Sequence, residues 1–135
     1  MNTNSVNSDS DGTPDLIQLN ESVLSVGGVT NDPTTDYDIT ITKGGYYQVS
    51  ISAIMYASAD DVQGEVYLEV DGTPINIDNS DDLYHEGTDL MSHEATFFYE
   101  FSDGDVLTLK VHRTTASGTM NADEASLEII KIIGY

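Results

Sequence analysis

Between Gly44 and Ser58 the chain reads GGYYQVSISAIMYAS, and the residues from Tyr46 to Ala57 include no Pro, no Gly and no charge. One alternate set (Tyr47, Val49, Ile51, Ala53, Met55, Ala57) is apolar throughout, whereas the other (Tyr46, Gln48, Ser50, Ser52, Ile54, Tyr56) is mixed. A period of two carried by β-branched and aromatic residues predicts a strand. The apolar set predicts a core. The mixed set says more, because a strand face open to water usually carries Lys, Glu or Thr. Small polar residues bracketed by Tyr46, Ile54 and Tyr56 predict a face with a cover, and another copy of the chain is the expected cover.

The same period recurs along the chain. LIQLN (16–20) and SVLSVGG (22–28) predict short strands at an edge or rim. YDITIT (37–42) sets Tyr37, Ile39 and Ile41 against Asp38, Thr40 and Thr42, before Lys43, Gly44 and Gly45 turn into the long strand. EVYLEVDG (65–72) places Val66, Leu68 and Val70 on one face and closes with an Asp-Gly turn. HEATFFYEF (93–101) and DVLTLKVHR (105–113) predict a hairpin about Ser102, Asp103 and Gly104, with Ala95, Phe97, Tyr99 and Phe101 on one side of its first strand. ASLEIIKIIGY (125–135) alternates at Leu127 and Ile129 and then turns apolar on both faces at Ile130, Ile132 and Ile133, which predicts a strand buried on both sides. No segment has a sustained helical period. The expected fold is all-β, an antiparallel sandwich of about eight to ten strands over residues 16–135. A flexible or partner-docking arm is expected at 1–15, where Val6 is the only aliphatic residue after the first Met.

Composition narrows the function classes. The 135 residues make one domain, long enough to bury about 68% of the unfolded surface. There is no cysteine and hence no disulfide. No apolar run approaches the ~20 residues of a membrane span, and MNTNSVNSDSDGTPD lacks the basic and apolar parts of a signal peptide. The expectation is a soluble chain made in the cytoplasm, with no membrane partner. Twenty-four acidic residues against four basic ones (Lys43, Lys110, Arg113, Lys131) give a net charge of −20. Phosphates are repelled by such a surface and four scattered cations make no basic patch, so nucleic acid is excluded as a partner. Asp outnumbers Glu two to one and Lys is nearly absent, a composition that resembles proteins from halophiles.

The order of motifs carries a resemblance. Gly45, Tyr46 and Tyr47 open a long uncharged strand; VYLEVDGTPI follows, then FSDGDVLTL with Gly104, Asp105 and Val106, then a final apolar strand. This order resembles the jelly rolls of the tumour-necrosis-factor and complement-head superfamily, and most of all their microbial relatives, the heads of spore-surface proteins and phage fibres. The resemblance covers roughly residues 16–135 and implies a compact homotrimer whose long and final strands pack around a threefold axis. It thereby places Tyr46, Gln48, Ile54, Tyr56, Ile130, Ile132 and Tyr135 at the subunit interface. Unlike the collagen-headed relatives, the chain carries no Gly-X-Y stalk.

Candidate chemistry is sparse. Asn7, Asp9, Asp11 and Asp15, with Gly12 between them, fit the opening of a calcium loop, but Gln18 stands where a bidentate acid belongs. The motif is better read as a solvated arm than as a calcium site, and no other cofactor is expected. His85, His93 and His112 match no common zinc spacing and are expected as surface or interface histidines. Paired acids such as Asp60-Asp61 and Asp81-Asp82 read as turn residues, and no G-x-S-x-G, Cys or phosphate loop is present, so no enzyme is expected. The acidic loop at 78–89 is open to cations, a receptor or a glycan, with Tyr84 its aromatic residue. The expected function is structural: a homotrimeric capsid decoration or turret protein, or a fibre head, on the virion surface of a halophilic host. Its arm would dock on a neighbouring capsid or tail protein. The alternative is a surface-displayed or secreted trimeric module that recognises a glycan or receptor.

Overall fold

The computed structural model describes the backbone of residues 2–5, 8–24, 29–32, 38–75 and 80–134, and the side chains of residues 10–19, 38–75 and 82–132. Among the described residues thirteen strands occur in the order β1 (Asn2–Ser5), β2 (Ser8–Ser10), β3 (Asp15–Leu16), β4 (Leu19–Leu24), β5 (Val29–Asp32), β6 (Asp38–Ile41), β7 (Gly45–Ala57), β8 (Gln63–Val70), β9 (Thr73–Pro74), β10 (Tyr84–Glu86), β11 (Met91–Phe101), β12 (Val106–Arg113) and β13 (Met120–Gly134). A 3-10 turn, Ser80–Leu83, precedes β10. One sheet runs β11-β7-β13-β1-β4, with β2 also on β13; the other runs β10-β8-β12-β6-β5, with β3 on β12 and β9 on β8. The described pairings are antiparallel, which makes the molecule the expected jelly-roll sandwich. Its strand count exceeds the expected number because β2, β3, β9 and β10 are pieces of two or three residues laid along longer strands.

The core lies between the sheets. Tyr47, Val49, Ile51 and Met55 of β7 and Leu127 and Ile129 of β13 are buried against Ile39, Ile41, Leu68, Leu107 and Leu109 of the other sheet. Each such side chain contributes about 1.5–3 kcal/mol of apolar burial. Tyr47 shows how a polar tip is accommodated: its ring meets Phe101 edge-on at 5.7 Å and its hydroxyl donates to Lys43 O at 2.6 Å.

Three expectations need correction. The turn at Ser102, Asp103 and Gly104 does not make a hairpin, because β11 pairs with β7 while β12 pairs with β8 and β6. It carries the chain from one layer to the other, and the neighbouring crossing at residues 42–44 holds it in place. Gly104 N–H donates to Ile41 O (2.7 Å) and Gly44 N–H to Asp103 Oδ1 (2.5 Å). A Cβ at Gly44 would come within 2.8 Å of Phe101 O, so only glycine fits there. Second, residues 1–15 hold strands that lie in the sheets: β1 pairs with β13 and β4, β2 with β13, and β3 with β12. An added strand is held by backbone hydrogen bonds and needs no apolar period, which is why the segment reads as an arm. Third, β13 is not buried on both sides within one chain, since Ile130 and Ile132 are 46% and 49% exposed.

Candidate interface on the outer face of the long-strand sheet

β7 lies between β11 and β13, and directly opposed residues in antiparallel strands share a face. The register therefore lays out the outer face of this sheet in rows: Phe98–Gln48–Ile130, Thr96–Ser50–Glu128, Glu94–Ser52–Ser126 and Ser92–Ile54–Glu124. Tyr46 opposes Glu100 beside the first row, where a bulge at Ile132 loosens β13. That end of the face is apolar and open, with Tyr46 43%, Ile130 46%, Ile132 49% and Phe98 68% exposed. The Glu100 carboxylate, hydrogen-bonded to Tyr46, holds the phenol above its ordinary pKa.

The two middle rows are polar, small hydroxyl side chains with Glu128 in one row and Glu94 in the other. Ser50 Oγ and Thr96 Oγ1 are 3.1 Å apart and Ser52 Oγ and Ser126 Oγ 2.5 Å apart, so the hydroxyls bond to one another across the strands. With Glu94 and Glu128 they line a shallow hollow of about 250 Å³. The face is thus a polar waist between an apolar end and a second end at Ile54 and Tyr56.

The outer face of the other sheet is different. Glu69 is buried and its Oε1 accepts from Lys110 Nζ at 3.0 Å, with Thr108 Oγ1 at 3.4 Å. Tyr67 opposes Lys110, and burial first, then Glu69 and Glu65, raises its pKa. Among the described residues the large exposed hydrophobic on this face is Tyr84, at 37%.

Of the residues expected at an interface, Tyr46, Gln48, Ile130 and Ile132 come together at the apolar end, and Ile54 and Tyr56 lie half-buried at the far end of the same face. Tyr135 lies outside the described residues. Phe98, the most exposed aromatic residue of the face, is absent from the sequence reading, which follows the inward set of β11. The signal was present in the outward set Thr96, Phe98 and Glu100, where an aromatic residue sits between polar ones.

Comparison with solved structures places this architecture. The chain is similar to Eiger TNF from S. frugiperda, with a TM-score of 0.60 and 11% identity over 100% of this chain and 94% of that one. It is also similar to murine APRIL, with a TM-score of 0.56 and 12% identity over 94% of this chain and 97% of that one. The fold is that of the tumour-necrosis-factor jelly roll. No protein-family profile matches the sequence, and no curated protein matches it significantly.

On this tumour-necrosis-factor-like frame the calcium motif is spread out. Ser8–Ser10 is extended alongside β13, where a calcium loop would wrap its oxygens around one point. Asp11 and Asp15 flank a hollow with Thr13, Pro14 and Thr119, while the side chains of Asn7 and Asp9 lie outside the described residues. The middle of the motif packs on a cation: a Cβ at Gly12 would collide with the Arg113 guanidinium. Arg113 donates from Nη1 to Gly118 O and from Nη2 to Ala116 O at 3.4 Å, and its backbone N–H donates to Ser10 Oγ at 3.0 Å. The one arginine therefore ties the 114–119 loop to the N-terminal strands.

The histidines also depart from expectation. His85 is only 2% exposed, and its Nδ1 lies 2.8 Å from His93 Nε2. His112 does not join them: it lies on β12 of the sheet that holds His85, where it opposes Glu65 of β8. Among the described residues no group of three or more His, Cys, Asp or Glu side chains is arranged to hold a metal ion.

Proposed function

We propose that this chain is the subunit of a homotrimeric jelly-roll head, assembled through the outer face of the β7 sheet, and that it acts by binding and display. The observation that supports this reading most is the contrast between the two outer faces. One leaves Tyr46, Phe98, Ile130 and Ile132 open in neighbouring positions, and the other pairs its buried charge within the chain. An apolar patch rimmed by polar residues marks an interaction site, and the likeness to Eiger TNF and APRIL favours copies of the chain as the occupant. The polar loops at the ends of the sandwich, and exposed Tyr84 at the start of the edge strand β10, are left to meet another molecule.

The finer reading is a decoration or turret protein, or a fibre head, on the virion surface of a halophilic host. It is supported by the net charge of −20. A receptor- or glycan-binding head is the second reading, favoured by the fold likeness. The N-terminal segment, whose backbone pairs with its own chain, is no longer needed as a docking arm. Sedimentation equilibrium in molar salt tests the common core of both readings. A mass of three times 14.6 kDa is expected, and a single-chain mass across the concentration range would overturn it.

A further inference from the structure

β10 ends one sheet and β11 ends the other, and residues 87–90 carry the chain between these two edges. Backbone bonds fix the start of the connection: Gly87 N–H donates to Val62 O (3.1 Å) and Ala57 N–H to Gly87 O (2.9 Å). Thr88 Oγ1 adds a bond to Asp60 Oδ1 at 2.9 Å. Ring to ring, His85 of β10 and His93 of β11 close the gap between the edges, with centroids 5.0 Å apart and planes at 76°.

Donor and acceptor roles follow from the partners. A carbonyl only accepts, so the 3.0 Å contact to Gly87 O requires a proton on His85 Nε2. Neutral His85 then has a bare Nδ1, which accepts from His93 Nε2–H. One further proton fits this arrangement, because charged His93 keeps that bond and offers Nδ1–H to the backbone of Asp82. A second does not. It would set N–H against N–H at 2.8 Å and place two cations side by side, one of them almost wholly buried. Burial first, and then His85, lowers the pKa of His93, while the Asp82 backbone opposes the shift.

Among the described residues the titratable groups on the elements around the pair are Asp82 on the 3-10 turn, Glu86 on β10, Asp89 on the connection, Asp60 beside Thr88, and Glu65 on β8, which opposes both Tyr84 and His112. Glu94 follows His93 on β11 and faces the other way, opposite Ser52. β7 presents Ala53 and Met55, which do not titrate.

We propose that His85 and His93 form an acid-sensitive latch between the two sheet edges, closed while the rings share at most one extra proton and open when both are charged. Opening frees residues 80–90, including exposed Tyr84 and Leu90, from the edge of β11. The latch works within one chain and does not depend on trimer assembly.

The test is amide hydrogen exchange on the full chain and on His93→Gln, each compared between about pH 7.5 and about pH 4.5 after correction for the intrinsic rate. Gln donates to neutral His85 through its amide N–H and, after a flip, accepts from charged His85 through its oxygen, so it closes the gap in both states. Exchange of the Tyr84–Glu86 amides, relative to those of β7, is expected to speed up about tenfold in acid in the native chain and less than about twofold in His93→Gln. Equal acceleration in both chains, or none in the native one, overturns the latch. Ring 15N shifts of the native chain give a second reading that needs no variant. Near neutral pH, His85 should carry its proton on Nε2, and a proton on Nδ1 instead contradicts the proposal.

Discussion

The two outer faces of the sandwich solve the same problem in opposite ways. On the β8–β12 face, Lys110 and Thr108 meet the buried Glu69 carboxylate, so the chain satisfies that surface alone. On the β7 face the Ser50, Thr96, Ser52 and Ser126 hydroxyls satisfy one another in pairs, and the apolar groups are left in water. Satisfied hydroxyls beside unsatisfied hydrophobics describe a surface whose hydroxyls lose little on being covered. Polar desolvation is already met by partners that stay in place, and each apolar side chain removed from water gains about 25 cal/mol per Å². The carboxylates Glu94, Glu100, Glu124 and Glu128 oppose assembly, and among the described residues no cation on this face offsets them. Assembly on this face is therefore favoured by apolar contact and limited by charge.

The largest expected effect breaks the contrast. Phe98→Asp or Ile132→Asp places an unpaired charge in the covered patch and should weaken self-association by more than about 100-fold, some 3 kcal/mol or more. Thr40→Asp on the opposite face should leave the mass by light scattering unchanged. Next is Lys110→Ala, which strands the buried Glu69 and should lower chain stability by about 1–3 kcal/mol in urea titration while assembly persists. Salt sharpens the comparison further. Between about 0.1 M and 1 M the screening length falls from about 10 Å to 3 Å, so melting temperature and association should both rise. The smallest effect is that of pH. The folded chain holds His93 below its ordinary pKa of 6.5, so folding favours the neutral ring. Its contribution is complete above about pH 6.5 and declines as pH falls through the lowered value. Thermal melts of His93→Gln should lack that part of the decline.

Much of the sandwich was legible because the core side of each strand follows a strict period of two. β7, β8 and β12 occupy close to their predicted ranges for that reason. What misled was the loss of that period. The bulge at Asp123 shifts the phase of β13, so Met120 and Ala122 point inward on one parity and Ala125, Leu127 and Ile129 on the other. The strand consequently looks as if it begins at Ala125. β1 and β2 pair with their neighbours through the backbone, and Asn2–Ser5 and Ser8–Ser10 contain no hydrophobic residue to mark them as strands. The turn between β11 and β12 has hairpin residues, but long-range bonds to Ile41 and Gly44 decide that it crosses layers. For the candidate interface, the mixed face of β7 pointed to the surface and its neighbours completed it. Phe98 became visible only once register placed it beside Gln48.

The central claim, that the outer face of β7 is covered by other copies of the chain, has a direct chemical test because the chain has no cysteine of its own. Ser52→Cys, a near-isosteric change in the middle of the waist, supplies a single thiol on that face, and Thr40→Cys supplies one on the other. The thiol-labelling rate in molar salt should be low for Ser52→Cys and rise at least about tenfold when Ile132→Asp is added, with Thr40→Cys fast in both backgrounds. A Ser52→Cys thiol that labels at the same rate with and without Ile132→Asp would contradict the account.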